Sequence, residues 1–285
     1  MSVESWLHRF TTVPERARQR AWVAEIDRDV VGYVFGCKNF FTKGSTSVFG
    51  RVVVAAPHRR RGLGTTLHAL LAEHASALAA GSILSHFVES PEGVAFATRL
   101  GYREARAEQE SVLDPRTITQ LPPPELELRT IADADPRDVY DVDLTATRDV
   151  PLVEPFDDIP YDEWEDHVLR HPHFTAEGSF LAYVDGEPAA VSMLVVDLES
   201  GRAANMFTGT LPKFRGRGLA LAVKLASIAW AKEHGVTSMA TTNDERNAPM
   251  LAINAKLGYV PAARQVEYVR EAGTASAPAP PAPAT

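Results

Sequence analysis

Thr210-Leu211-Pro212-Lys213-Phe214-Arg215-Gly216-Arg217-Gly218-Leu219-Ala220 decides the fold, because its core has a counterpart earlier in the chain, Arg59-Arg60-Arg61-Gly62-Leu63-Gly64. Both copies read Arg-x-x-Gly-x-(Gly/Ala). A β-rich run precedes each, at 48–55 and 205–211, and an apolar helical pattern follows each. The copies lie 156 residues apart, and Leu100-Gly101-Tyr102 and Leu257-Gly258-Tyr259 lie 157 apart. A register that long marks repetition of a whole domain, far beyond any solenoid period.

Outward from the motifs, the same order of elements emerges twice. In the first half, 21–26 and 30–37 read as a hairpin around Asp27-Arg28-Asp29, and 48–55 as the next strand. A helix over 62–80 stops at Gly81; strand 83–88, helix 93–100 and strand 108–113 follow. Three consecutive prolines, Pro122 to Pro124, place a linker at 119–124. The second half repeats the scheme: strand 126–130, an acidic and mostly helical stretch to Arg170, and hairpin 180–184 with 189–196. Strand 205–211, helix 218–234, strand 236–242, helix 248–257 and strand 264–269 complete it. The first half has only about twenty residues in place of the segment 126–170, so it is a cut-down copy, or the translation start lies upstream. Residues 272–285 are Ala, Pro, Ser, Thr and Gly without charge, a tail expected to be disordered.

Composition narrows the classes. At 45% hydrophobic and 23% charged, the 285 residues suit soluble globular domains. No run of eighteen apolar residues exists to span a membrane, and the first twenty lack the apolar centre of a secretory signal. A single cysteine, Cys37, suits a reducing compartment, so a cytoplasmic location is expected. Net charge is −8, with 13 acids between Ile131 and Asp166 against Arg137 and Arg148 alone. Such a chain is a poor partner for nucleic acid. A monomer or a homodimer is expected.

A glycine-rich turn that opens a helix presents unpaired N–H groups and the positive end of the helix dipole, an anion cradle. A nucleotide-binding Walker loop needs Gly-Lys-(Ser/Thr), which neither copy has. A dinucleotide fingerprint needs a third small residue where this chain has Leu67 and Leu221.

Strand, Arg-x-x-Gly-x-(Gly/Ala) at the start of an apolar helix, strand, then a short helix ending in Leu-Gly-Tyr resembles the GNAT N-acetyltransferase superfamily. The second copy, with Asn243-Asp244-Glu245-Arg246-Asn247-Ala248-Pro249-Met250, resembles bacterial tandem members in particular. The resemblance implies an α/β fold of two GNAT-like acyl-CoA N-acyltransferase domains in tandem, each built on a mixed sheet. It implies 1–118 as a shortened domain, non-catalytic or limited to CoA binding, and 125–271 as the catalytic one. Acetyl-CoA would be the cosubstrate, with no metal, and a small-molecule amine the acceptor. Main-chain amides around Arg215, Gly216, Arg217, Gly218, Leu219 and Ala220 would hold the pyrophosphate. Arg59, Arg60, Arg61, Gly62, Leu63 and Gly64 would do so in the first half. Thr208, Gly209 and Thr210, and likewise Val52, Val53 and Val54, would pair with the pantetheine arm. Asn247 would contact the pantetheine or the acetyl end. A second enzyme reading is a relative of mycothiol synthase, and a reading of another class is a non-catalytic acyl-CoA-binding protein.

Two departures from the family pattern stand out. Many members have a Tyr four residues before the Gly of Leu-Gly-(Phe/Tyr), which protonates the departing thiolate; here Asn254 and Ala97 stand there. Asn is no acid near neutral pH, although it can hydrogen-bond sulfur. The first half also has Ser90-Pro91 where the second has Asn247. Base candidates are Asp197, Glu199, Asp244 and Glu245, each also readable as a solvated loop acid. Asp157 and Asp158 are expected to draw a cationic amine, or else to form a solvated helical face. His68 and His74, six apart on a helix, and His171-Pro172-His173 read as non-ligating. Cys37, Trp164 and Trp230 read as core.

Overall fold

The hairpins and helices marked by periodicity are realised in the computed structural model, which describes residues 3–120, 122, 123 and 125–271. The expected tail and the linker positions Leu121 and Pro124 lie outside those residues. The chain forms two compact units. The first takes Val13–Ala107 and the segment from Arg264 on; the second takes the segment up to Thr12 and Glu108–Ala263.

In the first unit, Arg20–Ile26 (β1), Asp29–Lys38 (β2) and Ser47–Val54 (β3) form an antiparallel meander. Leu63–Ala77 (α2) then crosses to Ser82–Val88 (β4), which runs parallel to β3, and Pro91–Arg99 (α3) follows. Arg103–Leu113 (β5) begins in this unit and continues into the other. The core packs Val34, Val48, Leu67, Leu71 and Ile83 with Tyr102, Val266 and Tyr268.

The second unit begins with Val3–Thr11 (α1), a helix where the sequence showed few apolar positions. Glu127–Thr130 (β6), Pro136–Thr147 (α4), Tyr161–His167 (α5), Phe174–Val184 (β7) and Glu187–Asp197 (β8) follow. Arg202–Thr210 (β9), Leu219–Glu233 (α6), Ser238–Asp244 (β10), Ala248–Lys256 (α7) and Val260–Glu271 (β11) complete the order. The acidic stretch is less helical than expected, since 148–160 lies outside α4 and α5. Alternation along β8 separates two cores: Leu194 and Val196 pack with Leu225 and Ile228 of α6, while Val191 and Met193 pack with Val142 and Trp164. Burial of each such side chain stabilises by roughly 1.5–3 kcal/mol.

Both Leu-Gly-Tyr elements are helix stops of one geometry. Gly101 and Gly258 have φ of +83° and +86°, and the amides of Tyr102 and Tyr259 bond back to Ala97 and Asn254 at 3.0 Å.

The units do not break at the sequence boundaries 118 and 125. In the first, 265–271 of β11 pairs antiparallel with β4, from Gln265 opposite Val88 to Glu271 opposite Ser82. In the second, 108–113 of β5 pairs antiparallel with β10. Each unit is thus closed by a strand from the other half of the sequence.

Candidate functional site

The site grows from a strand pair that comes apart. β9 and β10 run parallel and pair over 202–205 against 238–241, ending at Asn205 opposite Thr241. Beyond that vertex each strand stays bonded only to its outer neighbour, β9 to β8 and β10 to β5. The open inner edges can accept an extended chain as an added strand. Thr208, Gly209 and Thr210, expected to pair with a ligand arm, lie on that edge. β9 also carries a bulge: Met193 faces Phe207 and Leu194 faces Asn205, which leaves Met206 without a partner residue on β8. Gly209 is required by close packing, since a Cβ there would lie 2.5 Å from that of Ala146 on α4.

The open end of the slot leads to the glycine turn. Gly216 and Gly218 both have φ of +77°, and a Cβ on either would meet nothing within 4 Å. Gly218 is the N-cap of α6 and offers no side-chain acceptor, so the first-turn N–H groups are left for a ligand. The Arg215 side chain braces the turn. Its Nε donates to the Thr210 carbonyl at 3.2 Å and its guanidinium pairs with Asp149. The Arg217 guanidinium lies 5.5 Å from the centroid of the Phe214 ring.

Around the vertex lies a polar group that the sequence reading did not single out. Lys224 of α6 is 2% exposed. Its Nζ donates to Asn205 Oδ1 at 3.0 Å and lies 5.1 Å from the centroid of the Tyr259 ring. Thr208 Oγ1 donates to the same oxygen at 2.7 Å. Asn205 Nδ2 donates to Ser192 Oγ at 2.9 Å and to the Met193 carbonyl, so the amide is fixed in one orientation. Burial pulls the Lys224 ammonium down to about 7 and raises the Tyr259 phenol. The signal was present: Lys224 is the single charge in Leu-Ala-Leu-Ala-Val-Lys-Leu-Ala-Ser-Ile-Ala-Trp-Ala, 219–231.

Asn247 is the N-cap of α7, its Oδ1 accepting from the Met250 amide at 3.3 Å. Ser90 does the same for α3 through the Gly93 amide at 3.1 Å, so the residue difference preserves the cap. Asn254 is 3% exposed and donates to Asn243 Oδ1 at 2.6 Å. Its own Oδ1 and the Tyr259 hydroxyl are buried without a hydrogen-bond partner.

The expected bases fare unequally. Asp244 is buried and committed, accepting from the Arg246 amide at 2.8 Å and from its guanidinium at 2.8 and 2.9 Å. Asp197 faces Arg202 at the end of β9 opposite the slot, with Glu199 in the turn beyond. The Ser200 hydroxyl and amide hold the Asp197 carboxyl below its usual range. Both thus lie at the end of the β8–β9 pair away from 205–210, while Glu245 directly follows β10 and is exposed. In the acidic stretch Asp158 pairs with Arg148 at 2.6 Å. Buried Asp143 accepts from Trp164 Nε1 at 2.7 Å, and desolvation raises its carboxyl to about 6 against that bond.

The first unit repeats the opening with different contents. β3 and β4 pair over 47–49 against 82–84, in the same register as the second pair, and then part. Here Val52, Val53 and Val54 line the inner edge, but β3 and β2 pair without a bulge. Arg51 crosses the opening: its Nη2 and Nε donate to the His86 carbonyl of β4 at 2.8 and 3.3 Å. Phe207 occupies the equivalent place in the second unit and cannot donate. Arg59 Nε bonds the Val54 carbonyl at 3.0 Å, as Arg215 bonds Thr210. Gly62 has φ of +88°, but Arg60 stands where Gly216 does and takes φ of +62°. Arg61, Leu63 and Gly64 complete the turn into α2.

His68 occupies the register of Lys224. Its Nε2 lies 3.1 Å from the Tyr102 hydroxyl, and burial with Arg270 nearby lowers it to about 4. His74 is buried too, bonded to the Arg18 carbonyl at 2.9 Å, so sharing the buried side of α2 does not bring it to His68's partner. Among the described residues, no three His, Cys, Asp or Glu are placed to hold a metal, and no helix is long and apolar enough to cross a membrane.

Comparison with known proteins bears on this geometry. A model of the acetyltransferase (GNAT) family matches residues 3–102 and 138–259. A mycothiol acetyltransferase of Frankia casuarinae is 28% identical over 236 residues, 76% of this chain and 66% of that protein. The chain thus spans about two thirds of that relative's length. A tandem GNAT protein from the clavulanic acid biosynthesis pathway superposes with a TM-score of 0.76 at 21% identity, covering 96% of this chain and 89% of the other. A GCN5-related N-acetyltransferase from Sphaerobacter thermophilus gives 0.71 at 18% identity, covering 95% and 85%. At these identities the structures speak for the fold.

Proposed function

Because the chain belongs to the acetyltransferase (GNAT) family, we propose that it transfers the acetyl group of acetyl-CoA to the amine of a small, cationic acceptor. The working site is in the second unit. The observation that carries this reading is the open, bulged slot of β9 and β10 leading to the uncapped turn at Gly216 and Gly218.

In this reading the amides of the turn hold the pyrophosphate, and 208–210 bind the pantetheine arm as a strand. The thioester then comes to rest near the vertex, with its carbonyl polarised from the bulge at Met206. A neutral amine attacks the carbonyl carbon, the C–S bond breaks, and the electron pair leaves on sulfur. Glu245, or water beside it, takes the ammonium proton. Asn247 shapes the wall through the α7 cap, and Asn254 offers an amide to the sulfur. The acids of the stretch 131–166 draw the cationic acceptor, although Arg148 offsets Asp158. Likeness to the Frankia enzyme favours a second reading, in which the acceptor is of the mycothiol type.

The first unit is read as non-catalytic, supported by the Arg51 bridge and the unbulged strand. Calorimetry with acetyl-CoA should give one site per chain, and Arg51→Ala should move the stoichiometry toward two. Release of CoA with a panel of primary amines tests turnover. Binding without turnover for every amine selects the non-catalytic acyl-CoA-binding alternative; no binding ends the proposal.

A further inference from the structure

A fully buried lysine with no carboxylate partner is costly, since an ammonium loses its hydration on burial. Among the described residues Lys224 forms no ion pair; its bonded partner is the Asn205 amide, and the ring beside it is the phenol of Tyr259. Asn205 would keep the Thr208 bond without it, so the lysine is not needed to satisfy the amide. The cost needs a return elsewhere.

Its place suggests one. From Thr210, beside the glycine turn, β9 runs five residues back to Asn205, about 17 Å at the rise of a strand. That length is comparable with the reach of an extended pantetheine arm, so a CoA anchored at the turn brings its sulfur to the vertex. Asn205, Thr208 and Lys224 meet there on the α6 side of the sheet. The family's phenol is replaced by Asn254, which cannot supply a proton.

We propose that Lys224 is a buried cation that stabilises the departing CoA thiolate, acting through space from behind Asn205. This deepens the reading of the slot given above and rests on it. When the amine nitrogen bonds the carbonyl carbon and the C–S bond breaks, the sulfur keeps the electron pair. The amine's proton leaves to Glu245 or water, and Lys224 keeps its own. A positive charge in a dry site lowers the energy of that anion, and the anion in turn favours the charged lysine. An ammonium near neutrality is loosely enough protonated to respond to that anion. The first unit has neutral His68 at this register and so lacks the device.

The test uses the full chain, CoA itself, and two variants. Lys224→Met removes the charge and the donor; Lys224→Gln removes the charge but keeps a donor toward Asn205. In the native protein the thiol of bound CoA, followed by its ultraviolet thiolate absorbance, should be at least tenfold more acidic than free CoA. Both variants should lose that shift. They should bind acetyl-CoA within about twofold of native, melt no lower, and release CoA at least tenfold more slowly at saturation. Restoration of the shift and rate by Lys224→Gln would assign Lys224 a hydrogen-bonding role and overturn the inference. Native CoA binding without a thiol shift overturns it while leaving the slot intact. Absence of CoA binding overturns both.

Discussion

The two slots of this protein part at the same register and differ in what occupies the gap. In the second unit the strands separate at Asn205 and Thr241, next to a bulge, a buried lysine and two orphaned polar atoms. In the first they separate at Phe49 and Leu84, and Arg51 ties the arms together again. Duplication thus preserved the backbone scheme, while side chains decide whether the opening can be entered. The glycine turn teaches the same lesson. A left-handed residue is kept in both copies, yet the first fills it with Arg60, which an L side chain adopts at a cost of about 1–2 kcal/mol.

The largest effect expected concerns whether either slot exists alone. A fragment of residues 119–285 lacks 108–113, the strand against β10, and with it Leu113 of the core. It should show no cooperative unfolding by circular dichroism. A melting temperature within a few degrees of the whole chain would show that the exchanged strand is dispensable.

Acid separates the units next. The folded value of His68 is depressed, so on acidification the unfolded chain takes the proton first. Its contribution is therefore lost as pH falls from about 6.5 toward 4. Asp143 in the second unit runs the other way: its folded value is raised, so stability is lost as pH rises from its ordinary range through about 6. His68→Gln should therefore shrink the stability difference between pH 7 and 4.5 by about 2 kcal/mol, measured by denaturant unfolding. An unchanged difference would place the proton uptake elsewhere.

Paired substitutions in the turns come third. Gly218→Val forces a branched side chain into φ of +77° and over the anion cradle, and should weaken acetyl-CoA binding at least tenfold. Gly62→Val should cost similar stability and leave affinity untouched; equal losses of affinity would mean that both turns hold ligand. The smallest effect is Arg60→Gly, which relieves the left-handed arginine and should stabilise by about 0.5–1 kcal/mol. Destabilisation would show that the arginine side chain contributes more than its backbone costs.

Much of this comparison was legible in the sequence. The repeated motif fixed both glycine turns and the helices behind them, and Gly-dependent stops explain both Leu-Gly-Tyr elements. Apolar runs around Asp27-Arg28-Asp29 and Asp185-Gly186-Glu187 made 21–26 with 30–37 and 180–184 with 189–196 readable as hairpin strands. The amino end of β5 was not, because Arg103, Glu104 and Arg106 look like a solvated loop. Their logic is cross-strand: Arg106 pairs with Glu267 at 2.5 Å, Arg103 with Glu271, and Glu104 with Arg264. Partner exchange by β5 and β11 leaves no local trace either, since alternation names a strand but not its neighbour. Asn247 and Ser90 look chemically different in a sequence and do one job as caps. Asp244 could not be sorted from Glu245 by sequence, because what claims it is the folded position of Arg246 two residues on.

The closing strand of the first unit has a temporal consequence. β4 ends at Val88, and the residue that pairs with it is Gln265. At about 5–20 residues per second, a ribosome needs roughly 10–35 s to traverse the interval. Throughout that time the first-made unit exposes a bare strand edge, a template for pairing with other nascent chains. Birth order and assembly order are therefore opposed in this molecule, and its yield in a cell should depend on shielding of that edge until translation ends.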